Sequence, residues 1–311
     1  MNRLNERDII NIFAQELGIN DLDDVSPVSK NLVLKCDMLV SSTDVPPQMK
    51  PWQIARKSVV SCASDLAAKG ARPTAAMVSL GLPAGTARVF IKGLAEGFAR
   101  ASREFGIKIV GGDTNEAAEL VIDCCMLGEI VSKMPLRSGA KQGDLVVVSG
   151  LFGLPAAGLS ILLKGSRASG DFAQRVADSV LEPTPRQKFG VALAKFFSSS
   201  IDSSDGLAIS LYEIARNSGV DVWVDTIPAA TGVEEFATEY GLDAKELIFH
   251  GGEEYEIVAT IPRSKFRQAK LSAKRARVNL YPIGIVKKGQ GRVYVNKKRL
   301  EDRGYVHFSQ R

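Results

Sequence analysis

The segment Ile201-Asp202-Ser203-Ser204-Asp205-Gly206-Leu207 sets two carboxylates three residues apart, with two hydroxyls between them and a glycine behind. Carboxylates at that spacing can hold a hard divalent cation. They can equally open a helix. Leu207, Ile209, Leu211, Ile214 and Ala215 recur at helical spacing, and Ser204 or Asp205 would serve as the N-cap. Other stretches repeat the design of tight backbone plus acid: Gly111-Gly112-Asp113-Thr114-Asn115 and Gly251-Gly252-Glu253-Glu254-Tyr255-Glu256. Asp23, Asp24 and Asp65 add acids at the ends of predicted elements. Converging carboxylates repel one another unless a counter-charge sits among them. Magnesium supplies that charge and keeps water and phosphate oxygens as its other ligands. A magnesium–nucleotide site is the first expectation.

Such a site has to manage without the usual phosphate loops. The chain has no G-x-x-x-x-G-K-[ST], no G-x-G-x-x-G after a strand and no protein-kinase catalytic loop. Phosphates would then be held mostly through metal ions on aspartates. Phosphoryl transfer tolerates this, because the protein's task is positioning and charge neutralisation.

The elements that must position these residues follow from periodicity and punctuation. Residues 5–17 read as a helix with Ile9, Ile10, Phe13 and Leu17 on one face and Gly18 as its stop. Asp21 to Pro27 reads as an acidic loop, and Leu32 to Val40 as a strand. Trp52 to Lys69 is a long helix opened by Pro51 and closed by Gly70. A strand at Met77 to Leu82, a helix at Thr86 to Phe105 capped by Thr86, and a strand at Ile107 to Val110 running into the Gly111-Gly112-Asp113 loop come next. Leu120 to Ile130 is a further strand.

The polar stretch Arg137 to Asp144 reads as a junction, dividing the chain into units 1–136 and 137–311. Beyond it, strands are expected at Leu145 to Ser149, Val220 to Val224, Glu254 to Ile261, Tyr281 to Val286 and Arg292 to Val295. Helices are expected at Leu154 to Leu163, Asp171 to Leu181, Arg186 to Ser198, after Gly206, and at Ser264 to Arg277. The pattern predicts an α+β protein of two mixed α/β domains.

Composition bounds the rest. The 311 residues suffice for two cores, and 45% hydrophobic and 24% charged content is that of a globular protein. A net charge of +5 accommodates an anionic substrate without requiring one. There is no run of about 18 apolar residues to span a membrane, and Met1 to Glu6 lacks the apolar core of a leader. Cys36, Cys62, Cys124 and Cys125 form no C-x-x-C pair and read as buried free thiols of a cytoplasmic protein. The run Lys265, Arg267, Lys270, Lys274, Arg275 and Arg277 reads as a solvated helix face; nucleic-acid binding is not expected, since interleaved aromatics are nearly absent.

Taken in order, Asp23-Asp24, Asp37, Thr43-Asp44-Val45-Pro46, Ser64-Asp65-Leu66-Ala67-Ala68-Lys69-Gly70-Ala71, Gly111-Gly112-Asp113-Thr114, Arg137-Ser138-Gly139-Ala140, Asp202 to Leu207, Gly251 to Glu256 and Gly304-Tyr305-Val306-His307-Phe308 resemble the thiamine-monophosphate kinase family. The resemblance spans nearly the whole chain. It is nearest to the archaeal branch, and the wider superfamily includes aminoimidazole ribonucleotide synthetase and selenophosphate synthetase. It implies ATP-dependent phosphorylation of thiamine monophosphate to thiamine diphosphate by direct in-line transfer. It also implies a homodimer in which the N-terminal sheets pair, with helices covering the C-terminal sheet.

Carried over residue by residue, the resemblance makes Asp24, Asp37, Asp65, Asp113, Asp202 and Asp205 ligands of Mg2+, with Asp65, Asp202 and Asp205 catalytic. Gly112, Asp113, Arg137 and Ser204 would contact ATP, and Asp44, Glu253 and Tyr305 would hold thiamine monophosphate. The chain departs from the family's pattern at Leu22-Asp23-Asp24-Val25-Ser26, where either aspartate can bind the metal, and at Glu254, where aspartate is common. It departs again at Lys35-Cys36, in place of two hydroxyl residues; Lys35 there replaces a cation or contacts phosphate. An enzyme of the same superfamily acting on a purine-biosynthesis intermediate is the alternative. Tyr305 with its Gly-x-x-His-Phe ending, and Asp44, argue against it.

Overall fold

The computed structural model describes residues 4–19 and 22–308. Asp21 of the expected acidic loop and the first three residues lie outside them. Helix α1 (Glu6–Leu17) is closed at both ends by its own sequence: Asn5 and Asp8 form a capping box, and Gly18 takes the left-handed conformation at φ 67°. Its apolar face is largely exposed at Ile10, Phe13 and Leu17.

The first sheet is built from β1 (Ser26–Pro27), β2 (Leu32–Val40), β3 (Ala71–Leu82), β4 (Lys108–Glu116) and β5 (Val121–Ile130), in the order β1-β2-β5-β3-β4. Between β2 and β3 lie the short α2 (Ser41–Asp44) and the long α3 (Pro51–Ala68); α4 (Arg88–Phe105) carries the chain from β3 to the parallel β4. Helix α4 begins two residues later than Thr86, whose hydroxyl turns back to the Pro83 carbonyl instead of capping it. The expected Gly111-Gly112-Asp113 loop is strand. Neither glycine has a positive φ. Gly112 is needed for closeness, because a Cβ there would overlap the Val78 carbonyl of β3.

The second sheet runs β12-β11-β8-β10-β6-β9-β7. Its elements in chain order are β6 (Leu145–Val148), α5 (Leu154–Lys164), α6 (Gly170–Leu181), α7 (Gln187–Leu193), β7 (Ser199–Ser203), α8 (Leu207–Ser218), β8 (Val220–Val224), α9 (Val233–Glu239), β9 (Glu256–Ile261), α10 (Arg263–Ala276), β10 (Tyr281–Lys288), β11 (Val293–Val295) and β12 (Lys298–Arg299). Helix α7 stops well short of Ser198 and gives way to a tight turn at Ala194–Phe196. Strand β9 starts at Glu256 because Glu253 and Tyr255, at φ 69° and 50°, cannot continue a ladder. Two cores flank this sheet: Val146, Val148, Ile201 and Val222 with α8 on one side, and Val147, Ile257 and Ala259 with α7 and α10 on the other.

Helix α3 joins the two halves. Ile54, Val59, Cys62 and Leu66 pack on the first sheet, while Ala67 and Ala68 join Phe189, Leu193 and Val147 of the second half. The fit is close enough that a Cβ on Gly190 would overlap the Ala67 carbonyl. Buried on nearly every side, α3 can hold a polar group only where another element supplies its partner. Among the described residues no helix is long and apolar enough to cross a membrane.

Candidate functional site

Strand β7 is buried throughout, and Asp202 projects from it toward α3. Ser64 of α3 donates to Asp202 Oδ2 at 2.9 Å. Asp65, the next residue, and Asp24, just before β1, complete a group: carboxylate oxygens of Asp24, Asp65 and Asp202 lie within 4.8 Å of one another, and all three residues are buried. Asp205 follows in the turn before α8. That helix starts from Gly206 at φ 115° with no side-chain cap, so neither Ser204 nor Asp205 is the helix cap that their position allowed.

Three cations stand against the group, and they are unevenly distributed. Lys69 Nζ sits 2.9 Å from Asp24 Oδ2 and 2.5 Å from Asp23 Oδ1, and donates to the Ser200 carbonyl at 2.7 Å. Arg137 Nε donates to Asp24 Oδ1 at 2.6 Å, while the Arg137 backbone N–H donates to Asp23 Oδ2 at 2.9 Å. Arg137 is thus tied into the acidic cluster and is not a solvated linker charge. Lys35 of β2 reaches Asp65 Oδ2 at 2.8 Å. The Asp202 carboxylate has its hydrogen bond from Ser64 and no ion pair among the described residues.

The titration behaviour follows this distribution. Burial would raise Asp24, but Lys69 and Arg137 outweigh it and hold that carboxyl below its usual range. Burial and the neighbouring Asp202 push Asp65 well up, with Lys35 opposing. Burial, with the charge of Asp24, pushes Asp202 up to about 6 against Lys35 and Ser64. Asp205 rises to about 7 through burial and then Asp202. Carboxylates that resist ionisation in this way have room for more positive charge. Asp24 Oδ2 supports the same reading: its contact to Lys69 is an ion pair without hydrogen-bond alignment, so this buried oxygen keeps lone-pair capacity. An all-oxygen carboxylate set suits Mg2+.

The other expected ligands stand apart from this trio. Asp37 lies on the face of the first sheet that meets α3, two residues from Lys35, and burial raises its carboxyl. Asp113 is exposed on the edge strand β4, paired with Ser79, one residue out of phase with the packed row Asp37, Cys124, Val78 and Gly112. Strand alternation turns it to the opposite face. Exposure also corrects Cys36, which is not buried; partial desolvation and Asp123 still push its thiol up to about 12.

A second constellation lies on the same face of α3, about two turns toward its N-terminus. The buried Lys57 Nζ donates to Glu253 Oε1 at 2.8 Å and to the Asp44 carbonyl at 2.7 Å. Tyr255 Oη donates to Glu253 Oε2 at 3.2 Å. The Glu253 N–H bonds the Ser204 carbonyl at 2.6 Å, and the Tyr255 N–H bonds the Ser203 carbonyl at 2.9 Å. Two non-glycine residues at positive φ are therefore locked onto the end of β7, the kind of strain that binding sites retain. The Tyr305 N–H bonds the Asp205 carbonyl at 3.0 Å, which brings the C-terminal segment to the same turn. Glu254 points away; it accepts from Gly153 N–H at 2.6 Å, and burial pushes its carboxyl well up.

Sequence reasoning missed Lys57, Lys69 and Tyr255. The signal for Lys57 was its spacing: Lys57, Ser61 and Asp65 fall on one face of the helix.

Known proteins resemble the chain along nearly its whole length. The description "AIR synthase related protein, N-terminal domain" matches residues 22–130. Thiamine-monophosphate kinase of Nitrosopumilus maritimus is 39% identical, with 99% of this chain and all of the relative covered. The chain belongs to the thiamine-monophosphate kinase family. The enzyme of that name from Pyrococcus horikoshii is 37% identical over 99% of this chain and 97% of its own. Among solved structures, AaThiL complexed with AMPPCP and TMP superposes with a TM-score of 0.89 at 27% identity, covering 99% of each chain. The hydrogenase maturation protein HypE shares the fold alone, with a TM-score of 0.74 at 20% identity. In this kinase family member the matched N-terminal segment contains Asp24, Lys35, Asp37, Asp44, Lys57, Asp65, Lys69 and Asp113.

Proposed function

We propose that the protein transfers the γ-phosphoryl group of ATP to thiamine monophosphate, giving thiamine diphosphate and ADP. The observation that carries this reading is the buried trio Asp24, Asp65 and Asp202, on the same face of α3 as the Lys57–Glu253 pair and about two turns from it. The trio would hold Mg2+, with Asp205 and Asp37 beside it; bound there, the ion neutralises the phosphate charge that three carboxylates would otherwise repel. Arg137 and Ser204 serve as nucleotide contacts. Gly112 and Asp113, on the exposed edge strand, are assigned to the nucleotide from the sequence pattern.

Asp44, Glu253 and Tyr305 form the acceptor pocket. Glu253 accepts hydrogen bonds from an aminopyrimidine or attracts a thiazolium, and Tyr305 offers an aromatic face to the flat cationic ring. Lys57 fixes the Glu253 carboxylate and anchors α2, so two contacts from distant parts of the chain face one ligand. A phosphate oxygen of the acceptor attacks the γ-phosphorus as the bond to the β-phosphate oxygen breaks. Neither histidine intervenes: His250 is hydrogen-bonded to the Arg303 carbonyl and His307 packs on Tyr305.

We place the domain boundary between residues 136 and 137 and the protein in the cytoplasm. We assign the open face of the first sheet, where Met38 and Met77 are exposed, to a second copy in a homodimer. The deciding experiment is ADP release: it should require thiamine monophosphate, ATP and Mg2+ together. Protein quenched after incubation with γ-labelled ATP alone, under conditions that preserve acyl phosphates, should carry no label. Release driven by a purine-pathway intermediate instead would reassign the substrate.

A further inference from the structure

Lys35 is an unusual residue for its place. It lies in the middle of β2, on the face that packs against α3, with buried Val33 two residues before it. Its Cα partner across the sheet, Met126, is also fully buried. A lysine on an apolar strand face is tolerated where a carboxylate meets it. Asp65 does so at 2.8 Å, and the charges of Asp37 and Asp202 add to its field.

The other two cations cannot serve this side of the cluster. Lys69 and Arg137 are both committed to Asp23 and Asp24. Asp65 and Asp202 therefore face each other with Lys35 as the only ammonium or guanidinium in ion-pair contact with either, among the described residues.

We propose that Lys35 is a tethered counter-ion that stands in for one divalent cation at the Asp65 side of the cluster, so that the folded chain does not need metal there when nucleotide is absent. The proposal rests on the reading of Asp24, Asp65 and Asp202 as a cation site. Its consequence is a division of labour. Asp24 is compensated by Lys69 and Arg137, Asp65 by Lys35, and the demand for metal is left to Asp202 and the incoming phosphates. Losing the Lys35 charge should restore a demand for metal at Asp65 even without ATP.

The test compares wild type, Lys35→Met and Lys35→Arg without nucleotide, by thermal unfolding in chelator or in MgCl2 and by calorimetric titration with MgCl2. Wild type and Lys35→Arg should gain only a small rise in unfolding temperature when Mg2+ replaces chelator, the share that Asp202 alone accounts for. Lys35→Met should unfold earlier in chelator and recover in Mg2+. Its Mg2+ affinity should exceed wild type by about tenfold or more, because the ion no longer meets a like charge about 3–4 Å away. A Lys35→Met protein that is as stable as wild type in chelator, or that is destabilised equally with and without Mg2+, overturns the proposal. So does one that differs from wild type only in its KM for ATP, which would make Lys35 a phosphate contact. If Lys35→Met does not fold, wild type decides alone: a sharp fall of its own unfolding temperature in chelator refutes the idea. Failure of the cation-site reading itself is separate, and would appear as wild-type ATP binding that is indifferent to chelator.

Discussion

Asp202 and Asp113 each belong to a β-strand lying against α3 or its sheet, but they end in opposite surroundings. Asp202 is buried beside two other carboxylates, with its pKa pushed up to about 6. Asp113 stands exposed on the edge of the first sheet, where water solvates its charge. The contrast teaches what makes an acid chemically demanding. Carboxylate density in the sequence is similar at both places; the difference is desolvation beside other buried carboxylates. A buried carboxylate must be protonated, paired or metallated. An exposed one is under no such constraint until a ligand or a partner covers it.

Asp202→Asn should break this contrast most visibly. Activity is expected to fall by about 10²–10³-fold, the scale of losing one preorganised electrostatic contact in a transition state. The same variant in chelator should be more stable than wild type by about 1–2 kcal/mol, because a like-charge neighbour has been removed from the cluster. Asp113→Asn should leave thermal stability unchanged. Parallel melting curves of the two variants check the pair; a destabilised Asp202→Asn would mean the cluster is already charge-balanced.

Lys57→Met sharpens the comparison by breaking a buried pair elsewhere on α3. Removing one partner of such a pair costs about 3–5 kcal/mol, and the partial exposure of Glu253 places this case toward the low end. KM for thiamine monophosphate should rise while KM for ATP holds, and Lys57→Met combined with Glu253→Gln should regain stability over the single variant. Kinetics with each substrate varied in turn separates this from a general loss of fold.

Tyr305 lies at the solvated end of the series. Tyr305→Ala should weaken use of thiamine monophosphate by about 1–2 kcal/mol, the scale of a cation–π contact. ATP use should be untouched. A variant that loses ATP affinity at an unchanged KM for the acceptor would dissolve the pocket assignment.

The smallest effect concerns Glu254, a buried acid outside the cation cluster. Burial raises its folded-state pKa above the usual 4.5. The protonated form is thus favoured on folding, and the stability it contributes is fully present below the unfolded pKa and lost as pH rises through the raised folded value. Glu254→Gln keeps an acceptor for the Gly153 N–H and abolishes the loss. Its stability advantage over wild type should be absent near pH 4 and grow toward neutral pH. Urea unfolding of both proteins across that pH range checks it. A difference that stays flat with pH would show that Glu254 ionises freely.

Much of this protein was written locally. The helices α1, α3 and α8 and strands β2, β5 and β8 follow from spacing and from stops such as Gly18 and Gly70, because amphipathic period and left-handed caps are properties of a few neighbouring residues. Local signals failed where long-range packing overrode them. Gly111-Gly112-Asp113 joined β4 because β3 offered a ladder and Gly112 fitted under Val78. Ser204 and Asp205 gave up capping α8, and the Ser204 carbonyl instead receives Glu253.

The motif order singled out Asp24, Asp65 and Asp202 among other acids, and only the tertiary structure decided their company. Asp24, Asp65 and Asp202 come from a loop, a helix and a strand that no sequence spacing brings together. The same holds for the basic residues. In one dimension the spacing of Lys57 hints at its face, but nothing names the carboxylate that Lys35, Lys57 or Lys69 will meet. Burial gave each a carboxylate partner, since a charge removed from water is stable only against its opposite.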